Sequence, residues 1–227
     1  MHLDLVDHLR CPNAHPGLAS PVALVCVPLR VDGRTLQEAM LGCPTCRASY
    51  AVVQGAGWFG VGDAPAPRPL PAPTARAARG ADDDPALRLA AFLGLDTPGG
   101  TVLVEGTWAT SARALAAMAE CSVVVLADAP DPGALAPLSV LVGVGDALPL
   151  AAGTLRGAAF ASVPHPALLA DAARCLMPNG RLVAPVEAAP PPVLSVLARD
   201  DRWWVAEARP APVAIRRAPP PPRTPGQ

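Results

Sequence analysis

Two short pairs of metal-ligating residues sit near the start of the chain: Cys11-Pro-Asn-Ala-His15 and Cys43-Pro-Thr-Cys46. Zinc takes four tetrahedral ligands, mostly Cys and His, offered as two such knuckles. Two or three residues between ligands let both side chains turn onto one ion. The prolines after Cys11 and Cys43 suit tight turns. The expected site is one zinc bound by Cys11, His15, Cys43 and Cys46. Four protein ligands leave no position for water, so the metal's role is structural. His15 is the weakest of the four, with His8 as an alternative at poorer spacing. The competing reading is a set of unrelated buried thiols. Cys26 lies in a β-rich run and reads as a core thiol, as do Cys121 and Cys175, whose positions give no metal spacing.

The elements that must position these ligands are bounded by composition. The chain has 227 residues, room for one or two small domains, and 51% of them are hydrophobic, enough for a sizeable core. The net charge of −1 gives no global basic field for nucleic acid. All 18 basic residues are Arg, which removes lysine chemistry such as a Schiff base. Ile215 is the single isoleucine, a pattern of coding bias, so isolated prolines and alanines carry little meaning. No apolar run reaches the roughly 18–20 residues that span a bilayer. The acidic start, Met1 to Asp7, has no charged segment followed by an apolar one. The expectation is a cytoplasmic protein away from membranes. In a reducing compartment, spaced cysteines favour metal over disulfides.

The chain divides into four parts. Residues 1–60 form one unit, with a short helix around Leu3, Leu5, Val6 and Leu9, a β-run from Val22 to Leu29, and another at Tyr50–Val53 before the glycine turn Gly55-Ala-Gly57. A unit of about 60 residues has a marginal core, which bound metal would reinforce. Residues 61–84 are a proline-rich linker that sustains neither helix nor central strand. From 85 to 217 the texture alternates. A helix opens at Asp84-Pro85 and stops at Gly94. Strands follow at Thr101–Glu105, Ser122–Ala127, Ser139–Gly143 and Leu155–Ser162. An Ala-rich helix from Ser111 to Glu120 separates the first two. A helix from Pro166 leads to Asn179-Gly180, then to a strand at Arg181–Val186. Trp203–Ala208 and Val213–Arg217 read as a closing hairpin. Residues 218–227 are a loose proline-rich tail. Strands alternating with helices predict an α/β fold: a small zinc ribbon followed by a Rossmann-like, mostly parallel sheet with a C-terminal antiparallel hairpin.

Leu9-Arg-Cys11-Pro, then Leu41-Gly-Cys43-Pro-Thr-Cys46-Arg-Ala-Ser-Tyr50 and a glycine turn, resemble the small zinc-ribbon proteins that serve as activating subunits of tRNA and protein methyltransferases. The resemblance covers residues 1–60. It departs at the first knuckle, where that family commonly has Cys-x-x-Cys.

Residues 85–217 resemble a class I S-adenosylmethionine-dependent methyltransferase. Val102-Leu-Val-Glu-Gly-Thr-Trp108 sits where that family has a strand running into a glycine-rich loop. Asp128 sits where an acid takes the ribose hydroxyls, and Gly145-Asp146-Ala-Leu-Pro149 where a segment holds the adenine. Ala173 to Val183 is similar to the family's helix-to-strand segment. The resemblance implies cofactor contacts from Glu105, Gly106, Asp128 and Asp146. It departs at Trp108 and Thr110, which replace glycines, and at Val104, where the acid is expected, with Glu105 one residue late. Neighbours along a strand point to opposite faces, so Glu105 can substitute only at a bulged or shifted strand end. Trp108 reads as a plug, a stacking wall or a core tryptophan. In the first case a normally placed cofactor is obstructed.

His165, in Ser162-Val-Pro-His165-Pro, is the candidate general base, against a surface residue at a helix start. Trp203 and Trp204 read as packing residues. Arg209, Arg216, Arg217 and Arg223 read as a solvated edge and tail. The functional expectation is a methyltransferase-like protein with a built-in ribbon, its catalysis weak or lost. The alternative is a non-catalytic pseudoenzyme acting as scaffold or accessory subunit, with a protein partner on the ribbon. RNA as partner has little support without a basic stripe.

Overall fold

The computed structural model describes residues 1–60, 84–128 and 138–209. The linker at 61–83, the Val213–Arg217 strand, Arg216, Arg217, Arg223 and the tail at 218–227 lie outside the described residues.

The first unit opens with helix α1 (Leu3–Val6), which the His2 side chain caps by accepting from the Asp4 amide. Strands β1 (Val25–Asp32), β2 (Thr35–Gly42), β3 (Ser49–Val53) and β4 (Ala56–Trp58) then form an antiparallel meander. Strand β2 is absent from the sequence reading. Leu36-Gln-Glu-Ala-Met40 consists of good helix formers, and pairing on both sides overrides that preference.

The second unit holds helix α2 (Asp84–Leu93), β5 (Thr101–Glu105), a 3₁₀ turn (Gly106–Ser111), α3 (Ala112–Ala119), β6 (Ser122–Ala127) and β7 (Ser139–Val142). It continues with β8 (Leu155–Ala159), α4 (Pro166–Cys175), β9 (Leu176–Pro185), β10 (Leu194–Arg199) and β11 (Trp203–Ala208). Strand β9 starts five residues earlier than Arg181. The antiparallel partners of β11 are β9 on one side and β10 on the other. Among described residues, the closing hairpin is therefore Leu194–Arg199 followed by Trp203–Ala208.

Eleven strands among the described residues make one sheet, in the order β1-β2-β3-β4-β7-β6-β5-β8-β9-β11-β10. The pairs β7-β6-β5-β8-β9 are all parallel. This is a doubly wound, Rossmann-like α/β architecture, with antiparallel strands at its C-terminal edge. Strand order reverses at β5, between β6 and β8, and such a switch point leaves a crevice at the carboxyl ends of the strands.

Both faces of the parallel part are covered. Val102 and Val104 join Val123 and Val125 against Leu89 and Leu93 of α2 and Leu115 of α3. Leu103, Val124 and Leu126 point the other way, toward Leu169 and Ala172 of α4. That second cluster also takes in Met1, Leu5, Leu9, Leu41 and Tyr50, so the ribbon and the α/β unit share one core.

The join between them is β4 on β7, parallel, with Ala56 facing Val140 and Trp58 facing Val142. The Phe59 amide donates to Val142 O at 2.8 Å, and the His2 amide to Ser139 Oγ at 2.9 Å. Beyond the last pair the backbones nearly touch. A Cβ on Gly143, whose φ is +66°, would meet the Gly60 Cα at 2.7 Å. No helix among the described residues is long and apolar enough to cross a membrane.

Candidate metal centre and cofactor cleft

Cys11 is delivered by two flanking segments. The Arg10 amide donates to Pro149 O, the Cys11 amide to Val22 O and the Leu24 amide to Leu9 O. The second knuckle is a tight turn after β2. The Cys43 amide donates to Ala48 O and the Arg47 amide to Cys43 O, with Arg47 left-handed at φ 61°. The Cys46 amide points at Cys43 Sγ, 3.5 Å away.

The ligand atoms of Cys11, His15, Cys43 and Cys46 all lie within 4.8 Å of one another. Cys11 Sγ is 3.7 Å from Cys46 Sγ, and His15 Nε2 is 3.3 Å from Cys43 Sγ. A tetrahedral zinc with bonds of ~2.3 Å to sulfur and ~2.0 Å to nitrogen sets ligand edges of ~3.5–3.8 Å. The donor set and its dimensions fit that ion, so this Cys₃His cluster could hold zinc. His15 is the histidine of the cluster. Cys121 and Cys175 are buried in the core and Cys26 is half-buried.

The thiols differ in chemistry. Burial pushes the Cys11 thiol up to about 11. Cys46 is exposed and is lowered to about 6, first by the Ala48 amide and then by hydrogen bonds from Asn13, His15 and Cys43. Burial pushes Cys175 up to about 12.

The switch point carries a cleft of about 340 Å³. Glu105, Gly106 and Ala109 line it at and beyond the end of β5, Leu126, Ala127 and Asp128 at and just beyond the end of β6, Val144 after β7, and Phe160, Ser162 and Pro164 after β8. Its size lies within the range of small-molecule sites, about 300–1,000 Å³. Gly106 has φ +62°, and a Cβ there would meet Ala161 Cβ at 3.0 Å, so the chain turns closely here.

Glu105 is wholly engaged with the end of β8. Oε2 accepts from the amides of Ala161 at 2.9 Å and Ser162 at 3.1 Å, and Oε1 from the Ser162 hydroxyl at 2.8 Å. Asp128 is exposed on the cleft wall. Asp146 lies beside the His165 ring instead, Oδ1 to Nδ1 at 2.8 Å, and both side chains are mostly exposed. The segment behind Asp146 is held by Asp171, which accepts from the Leu148 amide at 2.7 Å and pairs with Arg174.

The 3₁₀ turn decides the fate of Trp108. It carries the ring away from the switch-point cleft and into the core, 5.2 Å from the Trp203 ring at a tilt of 51°. Ala109 takes the place on the cleft wall. Of the three readings of Trp108, the structure shows the core tryptophan, and the ring does not line that cleft. Trp204 is fully buried and donates to Ala188 O at 2.7 Å. The Trp108–Trp203 contact had no signal in the sequence, since 95 residues separate the two.

No family model and no curated protein matches this chain. Among solved structures it is similar to the antibiotic-resistance methyltransferase Kmr, at 15% identity over 56% of this chain and 93% of that one, with a TM-score of 0.38. It is also similar to geranyl diphosphate C-methyltransferase from Streptomyces coelicolor A3(2), bound to S-adenosyl-L-homocysteine, at 18% identity over 45% of this chain and a TM-score of 0.38. A third is Haemonchus contortus phosphoethanolamine N-methyltransferase 2 in complex with S-adenosyl-L-methionine, at 16% identity, 45% coverage and a TM-score of 0.37. The chain spans 42% of the second neighbour's length and 27% of the third's.

Proposed function

We propose that this protein is a class I methyltransferase-like protein that binds S-adenosylmethionine in the switch-point cleft and structural zinc in its ribbon. The observation that carries the reading is the open cleft itself, with Gly106 at its close turn and Asp128 exposed on its wall. S-adenosylmethionine, when bound, supplies an electrophilic methyl group on a positively charged sulfur. Asp128 offers two carboxylate oxygens to the ribose hydroxyls. Gly106 lets the backbone come close to a ligand. Glu105 acts through the loop it ties down, holding Ala161 and Ser162 at the cleft edge. His165, whose Nδ1 faces Asp146, is the candidate base through Nε2 and follows Pro164 of the cleft lining, though neither His165 nor Asp146 lines the cleft itself.

The test is a calorimetric titration of full-length, zinc-replete protein with S-adenosylhomocysteine. Saturable one-to-one binding, weakened about tenfold or more in Asp128→Ala, is the expected result. No heat and no thermal stabilisation would overturn it.

A second reading, a non-catalytic scaffold, draws on the edge strand β1. Val25, Val27, Leu29 and Val31 are all exposed there, an apolar run that suits a protein partner on the ribbon. Glu105 and Asp146, both engaged within the protein, add to it. Copurification of a stoichiometric partner with protein that ignores the cofactor would favour this reading.

A further inference from the structure

The 3₁₀ turn has two sides. Gly106 and Ala109 line the cofactor-side cleft, whereas Thr107 and Trp108 line a second cleft of about 210 Å³ with Pro85, Arg88, Arg202 and Trp203. This second cleft is too small for a whole drug-sized ligand and suits one chemical group.

The Trp108 ring forms part of its wall: Trp108 is 8% exposed, and its Nε1 is buried with no hydrogen-bond partner among the described residues. Buried polar groups are rarely left so, because the lost hydration is not replaced. Trp58 Nε1 is in the same state. What distinguishes Trp108 is its company. The Arg202 guanidinium lies 5.9 Å from the Trp203 ring centre and forms no ion pair among the described residues. Arg88 lies over Phe92 at 5.2 Å and reaches Asp200 only at 3.8 Å. Asp200 Oδ1 is turned to the backbone, accepting from the amides of Arg202 and Trp203 at 2.7 Å each. Two arginines thus flank the cleft; Asp200 gives Oδ1 to the backbone and meets Arg88 through Oδ2.

We propose that this cleft is a recognition site for a compact anionic group, a phosphate or a carboxylate, carried by a small molecule. Arg88 and Arg202 supply the charge, and guanidinium forks match both groups. The exposed Thr107 hydroxyl supplies a further donor, and the Trp108 and Trp203 rings supply an apolar wall. The site is independent of the cofactor reading, although it shares the 3₁₀ turn with that cleft.

The experiment titrates full-length, zinc-replete protein with inorganic phosphate in one arm and acetate in the other, without cofactor and at constant ionic strength set by chloride. Tryptophan emission reports on the Trp108–Trp203 pair. A saturable change is expected in at least one arm. The arm that saturates identifies the group as phosphoryl or carboxyl. Arg202→Gln, a change at an exposed position, raises the half-saturating concentration about tenfold. Arg88→Gln, read by calorimetry, weakens binding about fivefold. No saturation in either arm, or an Arg202→Gln variant that responds like the parent, overturns the proposal. Since no cofactor is present, neither result bears on the cofactor cleft.

Discussion

Ser162 meets Glu105 twice: its amide donates to Oε2 at 3.1 Å and its hydroxyl to Oε1 at 2.8 Å. With the Ala161 amide on the same Oε2, one carboxylate joins the ends of two central strands. This gives a physical reason for an acid one residue beyond Val104. Val104 is fully buried in the helix-covered core, where a carboxylate would lose its hydration. Glu105, at the strand end, reaches donors.

Glu105→Ala removes the acceptor and leaves the part-buried Ala161 amide without a partner. Urea unfolding should show a loss of about 1–2 kcal/mol. Ser162→Ala deletes only the hydroxyl bond and should cost about half as much. Equal losses for the two variants would contradict the role given to the carboxylate.

Zinc content is the next expectation. Elemental analysis of gently purified protein should return one zinc per chain, and Cys43→Ser should abolish it. Chelation should lower the melting temperature, because the ligand Cys11 shares a core with Leu148 and Leu150 of the α/β unit. A melt that chelator leaves unchanged would mean the cluster holds no metal.

The Cys/His cluster that could hold a metal was the most legible part of the sequence. Knuckle spacing is local, so Cys43 and Cys46 meet whatever the rest does, and only the pairing of the two knuckles needed the fold. The parallel strands were legible for a similar reason. Val123 to Leu126 is a continuous apolar run, as burial on both faces demands. Strand β2 escaped although its partners are near: β1 turns into it at Asp32-Gly33, with Gly33 left-handed at φ 55°, and that dipeptide was the available signal. The rest of what escaped was set by partners distant in sequence. Three-residue β4, rich in small residues, is a strand because β7 receives it. Trp108 stood where glycine was expected. Its direction depended on a 3₁₀ turn and on Trp203, neither of which leaves a local pattern.

Metal-free protein should show one reactive thiol. Cys46 is exposed and held at about 6, so at neutral pH it is mostly thiolate, the nucleophilic form. Alkylation by iodoacetamide should mark Cys46 first. Cys175, pushed up to about 12 and buried, should stay unmodified until the protein unfolds. The sign with pH follows from the thiolate fraction. The Cys46 rate is near its plateau above about pH 7 and falls as pH drops through about 6. Zinc should protect Cys46 at every pH at which it binds. Mass spectrometry of peptides over pH 5–8 checks both claims, and first modification at Cys121 or Cys175 would refute them.

Gly143→Ala tests whether the ribbon is built into the sheet. Gly143 follows β7 with φ +66°, and a Cβ there would stand 2.7 Å from Gly60 Cα and 2.8 Å from Gly60 N. Both contacts are with backbone, so no side chain can swing aside. The left-handed conformation adds strain for any residue with a Cβ. The chains must part where β4 joins β7, at a cost of about 2–4 kcal/mol. Because the two units share one core, unfolding should stay a single cooperative transition at lower urea. Hydrogen exchange should rise at the Phe59 amide, which bonds to Val142 O across the join. Gly145→Ala, where a Cβ meets no atom within 4 Å, should leave both readouts unchanged. Two separate transitions in the parent would mean the join contributes little, and then the ribbon and the α/β unit stand as independent bodies.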